Sequence, residues 1–216
     1  CAYLASYQEE EMATFAGTLN YATSFSQDFS YSNLDPNIYM ANFHLIGNPF
    51  TFDMNMAQAK YTNLVSGYAA LNSTGSAFSY FTSGTIPVGD GFFVKAKADE
   101  ASFSYDMNAK RSRGDEVNSI NVIATGKAGS DNVIIRFAGK KEGFDKLQNF
   151  NSEIATIYVS EDNKNYGIYN CESDIKEIGL NFKAEQMGNY TISVKPEGEF
   201  QSITLIDRFT GVETDM

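Results

Sequence analysis

Chemistry in a protein needs particular side chains at particular spacings, and this 216-residue chain is poor in them: it has one His, two Cys and no Trp. A Ser or Cys nucleophile needs a base within hydrogen-bond reach, usually a histidine. His44 is the sole candidate, and it sits in Phe43-His44-Leu45-Ile46, an extended apolar pattern that reads as a strand rather than as a catalytic centre. No G-x-S-x-G elbow occurs, and neither Cys1 nor Cys171 stands in a recognisable catalytic context. Zinc requires clustered His and Cys, which are missing. Two carboxylates suffice for glycosidic hydrolysis, but nothing in the sequence marks such a pair. The catalytic, cofactor-binding and metal-site sets are therefore empty, and the chain reads as a non-enzyme.

Three oxygen-rich spots bear on calcium or phosphate. Asp53-x-Asn55 begins like an EF-hand loop, but Leu64 stands where the bidentate Glu belongs. Glu161-Asp162-Asn163 offers oxygen ligands for a weakly held cation, and reads first as a solvated hairpin tip. Gly89-Asp90-Gly91 lacks the third glycine and the helix of a phosphate loop, and reads as a turn. A structural calcium is thus the one cofactor left open. Tyr-rich stretches in the N-terminal half (Tyr3, Tyr7, Tyr21, Tyr31, Tyr39, Tyr61, Tyr68, Tyr80) could stack on sugar rings, which makes an extracellular glycan a conceivable partner. Nucleic acid is a poor partner. The net charge is −11, with 10 acids and 4 bases over 1–110 and 17 acids and 12 bases over 111–216, and no Lys or Arg precedes Lys60. No apolar run reaches the length of a transmembrane helix.

The elements that must position these residues alternate with period two. Phe103, Tyr105 and Met107 alternate with Ser102, Ser104 and Asp106; Ile178, Leu180 and Phe182 with Gly179, Asn181 and Lys183; Tyr190, Ile192 and Val194 with Thr191, Ser193 and Lys195. Ala13, Phe15, Gly17 and Leu19 form a similar row. Further strands are expected over 43–46, 91–98, 119–125, 132–138, 154–160, 165–170 and 200–208. Turns are expected at Gly47-Asn48-Pro49, Gly89-Asp90-Gly91, Gly129-Ser130-Asp131, 161–165, Met187-Gly188-Asn189 and Pro196-Glu197-Gly198. Residues 19–42 read as a long loop or an irregular edge strand. Two short helical pieces are expected, one over 54–65 capped by Asp53 and one turn over 142–149. The fold class is all-β: two β-sandwich (jelly-roll-like) domains over 1–110 and 116–216, joined by the polar, basic stretch 109–117. As an isolated piece the chain is expected to be a monomer, with two free thiols rather than a disulfide.

Two segments together resemble a known family. Phe43-His44-Leu45-Ile46-Gly47-Asn48-Pro49-Phe50 is followed by Ile86-Pro87-Val88-Gly89-Asp90-Gly91-Phe92-Phe93-Val94-Lys95-Ala96. The pair resembles one common in large exported Bacteroidetes cell-surface proteins, including those sorted by the type IX secretion system, where it lies just upstream of a C-terminal β-sandwich region that the second half of this chain resembles. The second half is similar in its Gly143-Phe144-Asp145, Gly188-Asn189-Tyr190-Thr191-Ile192-Ser193-Val194 and Leu205-Ile206-Asp207-Arg208-Phe209-Thr210-Gly211 strings. His44 departs from the Asn usual at its position, and the segment that follows the final Thr-Gly in the family does not appear. The resemblance implies an extracellular or outer-surface location and a stalk, spacer or adhesin-like role toward a glycan or a host or cell-surface protein. It carries no catalytic residues. It also favours reading Cys1 as a point within a longer chain rather than as a lipidated first residue.

Overall fold

The computed structural model describes residues 18, 20–33, 38–110, 117–139 and 142–216. The row expected over 13–19, the basic centre of the 109–117 stretch, and Cys1, Tyr3 and Tyr7 therefore lie outside the described residues. The protein is all-β; among the described residues the one helical element is a single 3-10 turn, Met56–Gln58. The first nine strands are β1 (Ser24–Phe29), β2 (Phe43–Gly47), β3 (Met54–Asn55), β4 (Ala59–Thr62), β5 (Tyr68–Leu71), β6 (Phe78–Phe81), β7 (Thr85–Ile86), β8 (Gly91–Lys95) and β9 (Ala101–Asp106). The next nine are β10 (Ser119–Gly126), β11 (Gly129–Arg136), β12 (Glu142–Asp145), β13 (Thr156–Glu161), β14 (Lys164–Asn170), β15 (Leu180–Lys183), β16 (Thr191–Glu197), β17 (Thr204–Asp207) and β18 (Val212–Asp215).

The chain forms two compact units. The first comprises Cys1–Ala70 and Thr82–Arg113, the second Leu71–Phe81 and Gly114–Met216. The segment 71–81, which the sequence reading leaves within 1–110, thus groups with the later half.

In the first unit, β1, β9 and β4 form one antiparallel sheet and β2, β8 and β5 run side by side in another. Alternation decides which side chains turn inward. Phe29, Ala101, Phe103 and Tyr105 from the first sheet meet Ile46, Phe92 and Val94 from the second, together with Met54, Met56, Leu64, Tyr68 and Ile86. The Phe92 and Phe103 rings join the two sheets edge-to-face at 5.3 Å, and Tyr68 meets Phe92 at 5.6 Å. The outward positions of the β1–β9–β4 sheet are Ser26, Ser104 and Lys60 in one row and Asp28, Ser102 and Thr62 in another.

The helix expected over 54–65 is overturned. Only the 3-10 turn forms; Asn55, not Asp53, caps it, accepting a hydrogen bond from Ala57 N–H at 3.0 Å. Met54 and Met56 also fit a period of two, and the flanking backbone is claimed by ladders to β7 and β9. Of the two readings of 19–42, a long loop or an irregular edge strand, the described part holds the second: β1 lies at the edge of its sheet, paired along its whole length with β9.

In the second unit a sheet runs β15–β13–β14–β11–β10–β16, with β12 pairing β14 and a parallel step between β11 and β14. One face carries Val122, Ala124, Val133, Ile135, Ile157, Val159, Tyr169 and Cys171. On another side, Tyr80 of β6 lies over Gly167. A Cβ there would fall 2.2 Å from Tyr80 Cε1, so this position accepts only glycine without a shift. Pro196 sits in β16, at the end of the strand order, where its missing N–H interrupts no central ladder.

The helical turn expected over 142–149 is a strand with a bulge. Gly143 lies beneath the Tyr166 ring, and Lys146 N–H continues the pairing to Asn165 carbonyl at 2.7 Å. The expected Gly129-Ser130-Asp131 turn is also corrected: the reversal falls at Lys127–Ala128, and Asp131 is already inside β11.

Candidate functional site

The polar motifs of the first unit are tied into its loops. Asn48 Nδ2 donates to the carbonyls of Phe52 at 2.9 Å and of Ile86 and Pro87 at 3.1 Å each, while its Oδ1 accepts Phe50 N–H at 3.0 Å. Its backbone N–H reaches Asp90 carbonyl at 2.8 Å. One amide side chain therefore joins the Gly-Asn-Pro-Phe loop to the Ile-Pro-Val-Gly-Asp-Gly segment, which gives a physical reason for the two strings to occur together. Neither Gly47 nor Asn48 takes the left-handed backbone that a Gly-Asn pair readily allows; that conformation falls to Gly89, at φ +84°. Asp53 Oδ1 accepts Val88 N–H at 3.1 Å across to the Ile-Pro-Val-Gly segment, and Asn55 caps the 3-10 turn, so both oxygen-bearing residues of the Asp53-x-Asn55 string are engaged.

His44 Nε2 lies 3.0 Å from Ser30 carbonyl, and its ring stacks on Phe29 at 4.6 Å. Burial lowers its pKa below the usual imidazole value, opposed by the bond to Ser30. Tyr68 and Tyr80 are buried, Tyr61 packs edge-on against Phe103 at 5.5 Å, and Tyr31 packs against the first core. These rings belong to cores and do not form a sugar-stacking platform; Tyr21 and Tyr39 alone among the described members are largely exposed.

A shallow hollow of about 420 Å³ opens at one end of the β1–β9–β4 sheet. Ser24, Ser26, Ser104, Lys60, Asp106 and Gln58 line it, with Phe25 and Tyr105 as its aromatic members. The Tyr105 hydroxyl donates to Gln58 Oε1 at 3.2 Å, fixing the amide at the rim.

The densest chemistry lies in the second unit, at Asp131 and Lys146. The Lys146 ammonium donates to Asp131 Oδ2 at 2.7 Å and Oδ1 at 2.8 Å, and to Asn132 carbonyl at 2.8 Å. The two side chains are 4% and 0% exposed. Ile157 N–H donates to Asp131 Oδ2 at 2.8 Å. The carboxylate thus takes the place of a strand partner at a point where β14 no longer pairs β13. The Lys146 ammonium also lies 4.5 Å from the centre of the Tyr80 ring. Burial pushes the Lys146 pKa down to about 8 and the Asp131 pKa up, in each case against the pull of the partner charge. Beside the pair, Asn132 accepts Tyr80 N–H at 2.9 Å and donates to Tyr80 carbonyl and Asn121 Oδ1 at 3.0 Å each. Asn149 Oδ1 accepts Phe78 N–H, and the Tyr80 hydroxyl accepts Leu147 N–H.

The sequence reading missed this centre. Asp131 passed for part of a turn and Lys146 for part of a helical turn. The available signal was Asp131-Asn132 placed directly before Val133-Ile134-Ile135: two polar residues continuous with a buried strand need interior partners.

The Glu161-Asp162-Asn163 tip is a two-residue hairpin turn, with φ of +50° at Asp162 and +60° at Asn163. The Tyr169 hydroxyl donates to Glu161 Oε2, and burial followed by this bond raises the tyrosine's pKa. At the other end of the unit, Asp207 Oδ1 accepts Phe209 N–H at 2.8 Å, and Thr210 Oγ1 donates to Asp207 Oδ2 at 2.6 Å. Gly211, at φ +74°, donates its N–H to Asp207 carbonyl at 2.7 Å. The Asp-x-x-Thr-Gly string is therefore a self-bonded turn between β17 and β18. Its internal hydrogen bonds hold the Asp207 pKa below the usual carboxylate value.

Among the described residues no three His, Cys, Asp or Glu side chains gather as metal ligands, and no helix is long and apolar enough to cross a membrane. Comparison with family models, curated proteins and solved structures finds no match for this chain.

Proposed function

We propose that this chain is a non-enzymatic module of an exported cell-surface protein, serving as a stalk, spacer or adhesin-like domain. The observation that carries the reading is the use of its chemistry-bearing side chains. His44, Asn48, Lys146, Asp131, Asp207 and Thr210 each bond to other residues of their own unit and fasten strands or turns. The resemblance of the Gly-Asn-Pro-Phe, Gly-Asp-Gly-Phe-Phe-Val-Lys-Ala and Asp-x-x-Thr-Gly strings to exported surface proteins points the same way. The net charge of −11 suits a surface that stays soluble and repels like-charged neighbours. The test is to label intact cells that make the native protein with an antibody against this chain, followed by fractionation. Surface labelling and recovery with the envelope or medium are expected; recovery in the cytosol alone overturns the proposal.

A carbohydrate-binding role is the second reading, and the hydroxyl-lined hollow beside Lys60 and Asp106 is the feature that favours it. Binding on a glycan array that is lost in Lys60→Ala would select it. An array without binding at millimolar ligand would remove it and leave the spacer role.

A further inference from the structure

The Asp131–Lys146 contact has the geometry of a reaction as well as of an ion pair. A nitrogen 2.7 and 2.8 Å from the two oxygens of one carboxylate lies about 3 Å from the carbon between them, the separation of a near-attack pair. We propose that Lys146 and Asp131 condense into an intramolecular amide, a covalent cross-link between β11 and the segment that follows β12.

The step balances within the pair. A proton passes from Lys146 Nζ to Asp131 Oδ1, leaving a neutral amine and a carboxylic acid. The Nζ lone pair then attacks Cγ, and the π electrons of the Cγ–Oδ2 bond move onto Oδ2, where Ile157 N–H already donates. A lone pair on Oδ2 then re-forms the Cγ–Oδ2 double bond as the Cγ–Oδ1 bond breaks with its electrons on Oδ1, which takes a second proton from Nζ and leaves as water. One proton remains on nitrogen. No oxidant, reductant or external reagent enters.

Two features of the surroundings favour this outcome over a lasting ion pair. Side chains that are 4% and 0% exposed lose the hydration that stabilises charge, so the neutral amine and acid needed for attack become accessible. The product also leaves no polar group orphaned: its N–H points at Asn132 carbonyl, 2.8 Å from Nζ, and its oxygen keeps Ile157 N–H. The Tyr80 ring beneath Nζ closes the site on a further side.

The test is intact-mass analysis of the full chain after folding and several days at neutral pH. A mass lower by one water is expected, with digestion yielding a branched peptide that joins the segments around 131 and 146. Lys146→Arg and Asp131→Ala should each restore the full mass; this readout does not depend on how well either variant folds. A folded wild-type chain of full mass, whose Lys146 reacts with an amine reagent once denatured, would overturn the proposal. So would a water loss that maps to any other residue.

Discussion

The two units solve the same problem, burying the polar edges of strands, in opposite ways. Among the described residues the buried polar residues Ser119, Asp131, Asn132, Asn149 and Asn170, and the buried side chain of Lys146, lie in the second unit, while the first has a core of aromatic and aliphatic residues. In the first unit amides such as Asn48 work at half-buried turns. In the second, β6 arrives from far earlier in the chain, and the amides of Asn132 and Asn149 bind its Tyr80 and Phe78 backbone from inside. β6 belongs to no ladder of the second unit's seven-stranded sheet, so the backbone groups it turns toward that unit need other partners. Interior polar side chains are the price of admitting it.

The largest effect should come from breaking the ionic centre. Asp131→Ala leaves Lys146 without its counter-charge in a dry site and should cost about 3–5 kcal/mol or more, read by urea unfolding of the full chain. Adding Lys146→Met should recover part of that loss by removing the stranded ammonium. The recovery stays partial because Ile157 N–H and the Asn132 carbonyl both lose their partners in the double variant. Phe103→Ala in the other unit should also cost about 3–5 kcal/mol, through its cavity alone, and its loss should not depend on pH. Peptide-resolved amide exchange should place the first damage in the second unit and the second damage in the first. Equal spread of both would erase the distinction between the units.

A finer comparison sets one bridging amide against another. Asn132→Ala strands the Tyr80 N–H and C=O inside the protein and should cost roughly 2–4 kcal/mol. Asn48→Ala frees loop groups that water can reach, and should cost roughly 1–2 kcal/mol. The same denaturation series reads both, and a reversed order would mean that position in the fold does not set the cost of a lost amide.

How much of this was legible in the sequence follows the range of the forces involved. Period-two rows announced β9, β15 and β16 because alternation is local: β9 has one buried face, β16 alternates half-buried with exposed positions, and in β15 Leu180 alone is half-buried. The Asp207-to-Gly211 turn was not expected as one, although all its bonds close within five residues; the strand expected over 200–208 runs only from Thr204 to Asp207, and the string entered through the resemblance. β6 was not recognised as a strand at all, because Phe-Ser-Tyr-Phe is short and its partners Asn132 and Asn149 lie more than fifty residues away. Asp131 and Lys146 looked like surface residues for a related reason: a charge reads as exposed until its opposite is seen beside it. Met56 fitted both a helical row with Ala59 and Leu64 and an extended row with Met54, and only the ladders to β7 and β9 settled which.

The smallest effect concerns the apolar face of the second unit, where Cys171 tests whether a core that admits an ion pair elsewhere excludes charge here. The thiol is fully buried, its Sγ 3.4 Å from Arg136 carbonyl, and burial pushes its pKa up to about 11 from an ordinary value near 9. Between those limits the unfolded chain has released the proton that the folded chain keeps. The folded state then binds more protons, so stability falls as pH rises through this window and is unaffected below it. By about pH 10 the loss should reach about 1.4 kcal/mol relative to Cys171→Ala, whose curve lacks this contribution. The same burial predicts that iodoacetamide modifies Cys171 only at the rate of unfolding. A slope shared by wild type and Cys171→Ala would mean that the thiolate is tolerated in place. Rapid modification of Cys171 in the folded protein would mean the same, and in either case the difference between this thiol and the Asp131–Lys146 pair would be one of partners rather than of access to water.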